Sequence, residues 1–146
     1  MKPEEKAYVG YRLDRARETL AEAKALLDLG LLRGAVNRLY YACFYCVSGL
    51  LFTEGMSSAK HSGVQSLFHE HWVKSGRVPK EMGRFYRRIF DYRQKGDYST
   101  LTSFESEDVK SWFEQATQFV AEISRLTAER LADEEKQGEE IGGRET

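Results

Sequence analysis

The chain has 146 residues, of which 41% are hydrophobic and 12% aromatic, and its formal net charge is −1. This composition fits one compact domain with its own core and excludes a disordered chain or an array of repeats. No apolar run of about 20 residues occurs, and the charged N-terminus lacks the apolar stretch of a secretory signal. The sequence therefore predicts a cytoplasmic protein that does not enter a membrane.

Residues that favour helices dominate the chain, and no segment alternates polar and apolar residues as a strand would. Apolar residues recur at helical spacing in five segments. The pattern predicts helices over about Glu4–Leu29, about Leu32–Thr53, from a start near Ser57 to His61 up to Gly76, over Pro79–Gly96 and over about Glu105–Leu131. We expect an all-α, up-and-down helical bundle of four to five helices over residues 1–131. The polar, acidic segment 132–146 is expected to be a disordered tail.

The charges are unevenly distributed along the chain. Between Lys74 and Lys95 there are eight Lys or Arg residues against two acids, whereas the chain from Glu105 onwards is acidic. A basic patch favours a partner that carries phosphate, such as RNA or a nucleotide. A solvated helix face explains the same pattern, because a block of like charges does not by itself specify a ligand.

Arg93 lies on the apolar side of the predicted fourth helix, where a charged residue is unusual. At 100° per residue, the other basic residues of this helix share one face, whereas Arg93 falls beside Tyr86 and Ile89 on the apolar face. Burying an unpaired guanidinium costs several kcal/mol, so the position requires partners or a function. Two interpretations remain open, which are an arginine that bonds to helix-end carbonyls and an arginine that meets a phosphate in a cleft.

The second helix offers a polar wall for such a cleft. Asn37 and Tyr41 share one of its faces, and Arg38 lies at the margin of that face. Lys60 and His61 open the next helix, where free backbone N–H groups favour anions. Each of these residues also has a plain structural explanation, in which it bonds to its neighbours or to the backbone.

Metal and cofactor chemistry finds little support in the sequence. Cys43 and Cys46 form a C-x-x-C in the middle of a helix, where two buried thiols are expected rather than a redox or zinc site. His69 and His71 point in different directions on their helix and cannot chelate one metal together. No phosphate-binding glycine loop, nucleophile elbow or H-E-x-x-H motif occurs. We expect no metal and no cofactor.

Two stretches, RGAVNRLYYACFYCVSGLL (33–51) and KHSGVQSLFHEHWVKSGRVPKEMGRFYRRIFDYRQKGDYS (60–99), resemble the HEPN domain. The resemblance extends over roughly residues 6–127. It implies a helical bundle that commonly forms a homodimer in which the two copies line one cleft. Members of the family act as metal-independent ribonucleases, as toxins paired with a minimal nucleotidyltransferase, or as nucleotide-binding or non-catalytic partners.

The family's nuclease motif is Arg, four to six residues and then His, and this chain departs from it. Arg93 matches the arginine, but Tyr98 stands five positions later in R-Q-K-G-D-Y, and no histidine follows Arg93. A tyrosine with its usual pKa of about 10 is poorly suited to general acid–base catalysis near neutral pH. The resemblance implies that Arg93 contacts phosphate, with Asp97 and Tyr98 beside it, and that Tyr98 is a possible target of a nucleotidyltransferase.

Three functional hypotheses follow. In the first, the protein binds RNA or a nucleotide through Arg93, Asn37, Tyr41, Arg38, Lys60 and His61, and it acts with a nucleotidyltransferase-like partner, as in a toxin–antitoxin pair. In the second, it is a metal-independent endoribonuclease that uses Arg93, Asp97 and Tyr98, with Tyr98 replacing the family's histidine. In the third, it is a non-catalytic interaction module in which Arg93 is a buried structural residue.

Overall fold

The computed structural model describes the backbone of residues 1–145 and the side chains of residues 1–138. Five α-helices follow one another as α1 (Pro3–Asp28), α2 (Leu32–Phe52), α3 (His61–Phe68), α4 (Lys80–Tyr98) and α5 (Ser106–Glu145). A π-helical turn, His69–Val73, continues α3. No strand occurs within residues 1–145, which confirms the all-α helical bundle.

The central helix of the bundle is α2, as its nearly continuous apolar sequence predicts. It packs against all four other α-helices. Val36, Leu39, Tyr40, Val47 and Leu50 of this helix have no exposed surface. Its polar side chains lie on a half-buried face of the helix, where Asn37, Arg38 and Tyr41 are partly exposed and find partners on neighbouring elements.

Several predicted boundaries differ from the structure, and α4 ends at Tyr98 rather than at the predicted Gly96. Pro79 is the N-cap of α4 and lies outside its first turn. The third helix changes to π-helical geometry at His69. The last helix continues from the predicted end at Leu131 to Glu145, where the sequence predicts a disordered tail. Thr146 and the side chains of 139–145 lie outside the described residues, and the domain division at residue 131 stays a prediction.

A short network ties the C-terminal end of α4 to the start of α2. The guanidinium of Arg33 donates hydrogen bonds to the carbonyl oxygens of Gly96, at 2.9 Å, and of Ser99, at 3.1 Å, and also to that of Thr102. These carbonyls lie at and beyond the helix end, where no backbone partner remains for them. Arg33 thereby holds the last turn of α4, with Arg93 and Asp97, against α2.

No helix in the described part of the chain has the length and apolar character needed to cross a lipid bilayer.

Candidate functional site

Arg93 lies between α4 and α2 with only 13% of its side chain exposed. Its Nη2 donates a hydrogen bond of 3.2 Å to the Tyr41 hydroxyl, and its Nε lies 2.9 Å from Oδ2 of Asp97. The Nε–H is not aimed at that oxygen, so the contact with Asp97 is an ion pair rather than a hydrogen bond. Nη1 makes no hydrogen bond to any described residue.

Two tyrosine rings of α2 form the floor under this guanidinium. The Cζ atom of Arg93 lies 5.3 Å from the ring centre of Tyr41 and 5.4 Å from that of Tyr40. Cation–π contacts of this kind stabilise a guanidinium while leaving its N–H groups available as donors. The arginine is therefore partnered on one edge and on one face, and its remaining edge can bind an anion.

The polar face of α2 joins the same cluster. The Asn37 side-chain amide donates to Oδ2 of Asp97 at 3.0 Å. Arg38 donates from Nη2 to Oδ1 of Asn37 at 2.8 Å, and its guanidinium lies 5.0 Å from the ring centre of Tyr41. Two arginines thus stack on the same tyrosine ring. Asp97 accepts the hydrogen bond from Asn37, and its carboxylate balances part of the positive charge of the two arginines.

His61, at the first position of α3, contacts the same two tyrosine rings as Arg93. Its Nδ1 lies 2.7 Å from the Tyr40 hydroxyl, and its ring stacks on Phe44 with 4.5 Å between ring centres. Burial, and secondly the charge of Arg93, lower the pKa of His61 below its usual value. The imidazole is therefore largely neutral at neutral pH.

Tyr40 supports His61 from the core. Burial raises the pKa of the fully buried Tyr40 hydroxyl well above its usual value, so this hydroxyl keeps its proton. It can donate to Nδ1 or accept from Nδ1–H, and this choice decides whether Nε2 of His61 carries a proton. Nε2 makes no hydrogen bond to any described residue.

The other sequence-predicted residues lie at the edge of the cluster. Tyr98 is 77% exposed, and its ring centre lies 6.0 Å from Cζ of Arg93. Lys60 is the exposed N-cap residue of α3, and no described contact joins its ammonium group to the cluster. The structure thus brings together Arg93, Asp97, Asn37, Arg38, Tyr41 and His61, and it leaves Tyr98 and Lys60 at the rim.

The sequence analysis missed three contributors to the cluster. Tyr40 and Phe44 bind His61, and Glu22 of α1 lies 3.4 Å from Nη1 of Arg38. One face of α2 carries the i, i+3, i+4, i+7 series Asn37, Tyr40, Tyr41 and Phe44. Helical periodicity could therefore have placed the two aromatic residues on the same face as Asn37 and Tyr41. Nothing in the sequence indicated Glu22.

The cysteines and the acidic residues add no metal chemistry. Cys43 and Cys46 are buried free thiols, and burial raises the pKa of both. Thiols that stay protonated in a core are poor nucleophiles and poor metal ligands. Within residues 1–138, no three His, Cys, Asp or Glu side chains are grouped closely enough to hold a metal ion.

Comparison with models of known protein families identifies the family to which this chain belongs. The family model described as the HEPN domain matches residues 9–126. The chain belongs to the HEPN family. This range agrees closely with residues 6–127, over which the sequence resembles that family.

Several curated proteins are similar to most of this chain. A "UPF0332 protein" of Thermotoga maritima is 48% identical over 84% of this chain and 93% of its own length. The protein named "Putative toxin MJ0605" of Methanocaldococcus jannaschii is 34% identical over 82% of this chain and 88% of its own length. A third, the "UPF0332 protein glr0978" of Gloeobacter violaceus, is 37% identical over 74% of this chain and 86% of its own length.

Proposed function

We propose that this HEPN protein binds RNA or a nucleotide through the Arg93 cluster and acts with a nucleotidyltransferase-like partner, as the toxin of a toxin–antitoxin pair. The proposal rests on the contacts of the Arg93 guanidinium, which leave one of its nitrogen atoms without a hydrogen-bond partner among the described residues. One edge is held by Tyr41 and Asp97, one face lies on two tyrosine rings, and Nη1 has no bond to a described residue. A preorganised fork with a free donor suits a phosphate oxygen.

The surroundings support a phosphate ligand. Arg38 stacks on the same tyrosine as Arg93, so a second guanidinium lies within the cluster. Tyrosine rings at the rim, with Tyr98 the most exposed, offer flat surfaces on which a base can stack. The relatives named as toxins in Methanocaldococcus jannaschii favour the toxin part of the proposal.

Ligand binding tests this proposal directly. Fluorescence anisotropy would measure the Kd of labelled single-stranded RNA and of a labelled nucleotide for the wild type and for Arg93→Ala. We expect Arg93→Ala to weaken binding about tenfold or more, which is the usual effect of losing a charge-assisted contact. Arg84→Ala, an exposed change on the same helix, serves as the matched control and should bind normally. Equal affinity of wild type and Arg93→Ala would contradict the proposal and leave Arg93 as a structural residue.

The partner is tested separately. We propose that the protein forms a homodimer whose two clusters line one cleft, and that the nucleotidyltransferase modifies Tyr98. Co-expression with a minimal nucleotidyltransferase, followed by mass spectrometry of the intact protein, should show a nucleotide adduct. The adduct should be absent from Tyr98→Phe and retained by Tyr11→Phe, because Tyr11 is also exposed but lies on α1. An adduct on another tyrosine would refute the assignment to Tyr98.

A second candidate function is a metal-independent endoribonuclease, and the position of His61 favours it. His61 and Arg93 contact the same pair of tyrosine rings from α3 and α4, although no histidine follows Arg93 in the sequence. A neutral imidazole can accept the proton of a ribose 2′-hydroxyl that attacks the adjacent phosphate, and Arg93 can stabilise the charge that develops. In this scheme His61, rather than Tyr98, is the base.

RNA cleavage without added metal separates the two candidates. If the protein is a nuclease, His61→Ala and Arg93→Ala should each lower the cleavage rate about 100-fold or more, whereas Tyr98→Phe should retain most of it. Circular dichroism would verify that each variant folds. Absence of cleavage by the wild type on several RNAs would remove the nuclease candidate and leave the binding proposal intact.

A further inference from the structure

Asp97 contacts donor groups of the cluster that a phosphate group would also use. Its Oδ2 atom lies 2.9 Å from Nε of Arg93 and accepts a hydrogen bond of 3.0 Å from the side-chain amide of Asn37. The Nε and Nη2 atoms form one edge of a guanidinium, and this edge binds carboxylates and phosphates alike through two parallel N–H groups. The free protein therefore already holds an anion at Arg93, and that anion belongs to its own chain.

The pairing of Asp97 with Arg93 is incomplete. Nε of Arg93 is buried and makes no hydrogen bond, because its N–H is not aimed at Oδ2. Nη2 donates to the Tyr41 hydroxyl, and Oδ1 of Asp97 makes no hydrogen bond or ion pair with a described residue. A bidentate pair would use both oxygens and both nitrogens. Because a single oxygen holds the carboxylate in place and 26% of the side chain is exposed, Asp97 can turn toward solvent.

The stability of α4 does not explain an acid at position 97. Asp97 lies in the last turn of this helix, which ends at Tyr98, and the helix dipole disfavours a negative charge there. Arg93 precedes Asp97 by four residues, and an ion pair along a helix is less favourable when the basic residue comes first. Arg33, rather than Asp97, stabilises this helix end by donating to its carbonyl oxygens. The main electrostatic effect of Asp97 is therefore on the anion site.

We propose that Asp97 is a built-in competitor at the anion site, because its carboxylate contacts the donors of Arg93 and Asn37 that a phosphate group must reach. This inference rests on the proposed function and adds a residue that sets the affinity of the same site. A phosphate that binds at Nε of Arg93 replaces Oδ2 of Asp97 and frees the amide of Asn37 as a further donor. A phosphate that binds at Nη1 lies near the carboxylate and is repelled by it. In both geometries the charge of Asp97 weakens phosphate binding.

Titration with adenosine 5′-monophosphate tests the proposal at about pH 7.5, where its phosphate is largely dianionic. The imidazole C–H resonances of His61 report the Kd by NMR, because His61 contacts the same tyrosine rings as Arg93. Asp97→Asn removes the charge and keeps an acceptor for the amide of Asn37, whereas Asp97→Ala removes both. Asp91→Asn is the matched control, because it changes the net charge equally at an exposed position of α4 that has no described contact with the cluster. Circular dichroism verifies that each variant folds.

We expect Asp97→Asn and Asp97→Ala to tighten binding about three- to tenfold, and Asp91→Asn to change it less than about twofold. Combining Asp97→Asn with Arg93→Ala should abolish the gain, because the carboxylate then has no guanidinium to compete for. A gain that persists without Arg93, or an equal gain in Asp91→Asn, would show a general charge effect and overturn the proposal.

The remaining outcomes separate this inference from the proposed function. If Arg93→Ala weakens binding and both Asp97 variants bind no more tightly than the wild type, Asp97 is not a competitor, and the inference fails while the proposed function stands. Equal binding by the wild type and Arg93→Ala would contradict the proposed function. No binding by the wild type or by Asp97→Asn would overturn both.

Discussion

At the scale of single residues, two arginines illustrate two uses of a guanidinium. Arg33 donates to carbonyl oxygens at the end of α4, which is the structural role that the sequence left open for Arg93. Arg93 instead contacts a hydroxyl, a carboxylate and two aromatic rings, and Nη1 has no bond to a described residue. The capping role thus belongs to Arg33, and Nη1 of Arg93 remains available for a ligand.

The lowered pKa of His61 gives the first prediction. Replacing Arg93 with Gln removes a nearby positive charge, so the pKa of His61 should rise but stay below about 6.5, because burial is the larger cause. Arg93→Lys keeps the charge and should leave that pKa nearly unchanged. An NMR titration of the imidazole C–H resonances measures the shift.

His69 is an internal control in the same NMR titration. Its pKa is lowered by burial and, secondly, by Arg87, so it should not respond to Arg93→Gln. A parallel shift of both histidines would indicate a general structural change. A His61 pKa that is insensitive to Arg93→Gln would contradict the proximity of these two charges.

The same shift has a consequence for stability. Because His61 binds a proton less readily in the folded protein than in the unfolded chain, protonation favours unfolding. Its contribution to the free energy of unfolding is present above about pH 6.5 and is lost as the pH falls below that value. Between about pH 7.5 and about pH 5, the free energy of unfolding measured with denaturant should therefore decline less for His61→Gln than for the wild type. An equal decline in the two proteins would refute this prediction.

At the scale of helices, close packing at the end of α4 positions the site. Gly96 is buried three residues after Arg93, and an added Cβ there would lie 2.9 Å from Cε2 of Phe104. Phe104 packs in turn against Trp112 of α5, with 5.8 Å between ring centres. Phe104 and Trp112 thus pack against the last turn of α4 and hold it in place.

Gly96→Ala tests this brace. The clash with Phe104 should exceed the gain in helix propensity and lower the free energy of unfolding by about 1 kcal/mol, with a change in Trp112 fluorescence. Gly10→Ala is the matched control, because Gly10 lies in α1 and a Cβ there meets nothing within 4 Å. That control should be stabilised by about 0.5–1 kcal/mol. Equal stabilisation of both variants would show that the end of α4 is loosely packed.

At the scale of the whole molecule, the core and the C-terminal extension contribute very differently to stability. The core is continuous around α2, whereas the described side chains of α5 beyond Leu131, those of residues 132–138, form two ion pairs with the N-terminal part of the chain. Glu134 pairs with the N-terminal ammonium of Met1, and Glu135 lies 3.3 Å from Nζ of Lys6. Partly exposed pairs of this kind contribute at most about 1 kcal/mol each.

Deleting residues 132–138 together with the segment that follows them should therefore lower the free energy of unfolding by about 2 kcal/mol or less, because two such pairs are lost from the described residues. The fully buried Leu39 of α2 provides the contrast, since Leu39→Ala should cost about 2–5 kcal/mol. Denaturant unfolding followed by circular dichroism measures both. A truncated protein that fails to fold would show that the domain does not end at residue 131.

The sequence by itself determined which segments are helical and which face of α4 carries Arg93. Helical periodicity and capping are local properties, so the bounds of α1 and α2 were predicted to within one residue at each end. The end of α5 was not predicted, because the polar segment after Leu131 has no apolar stripe for the sequence to reveal. Its described ion pairs are with the N-terminal ammonium of Met1 and with Lys6 of α1.

Only the tertiary structure decided which residues share the site. His61 meets Tyr40 across 21 positions of the chain, and Arg33 meets Gly96 across 63. Such contacts depend on how the loops place one helix against another, and no periodicity within a single helix encodes that placement. The sequence could therefore single out Arg93 as an arginine in need of partners. The packing of α2, α3 and α4 supplied Tyr40, Tyr41, Asp97 and His61 around it.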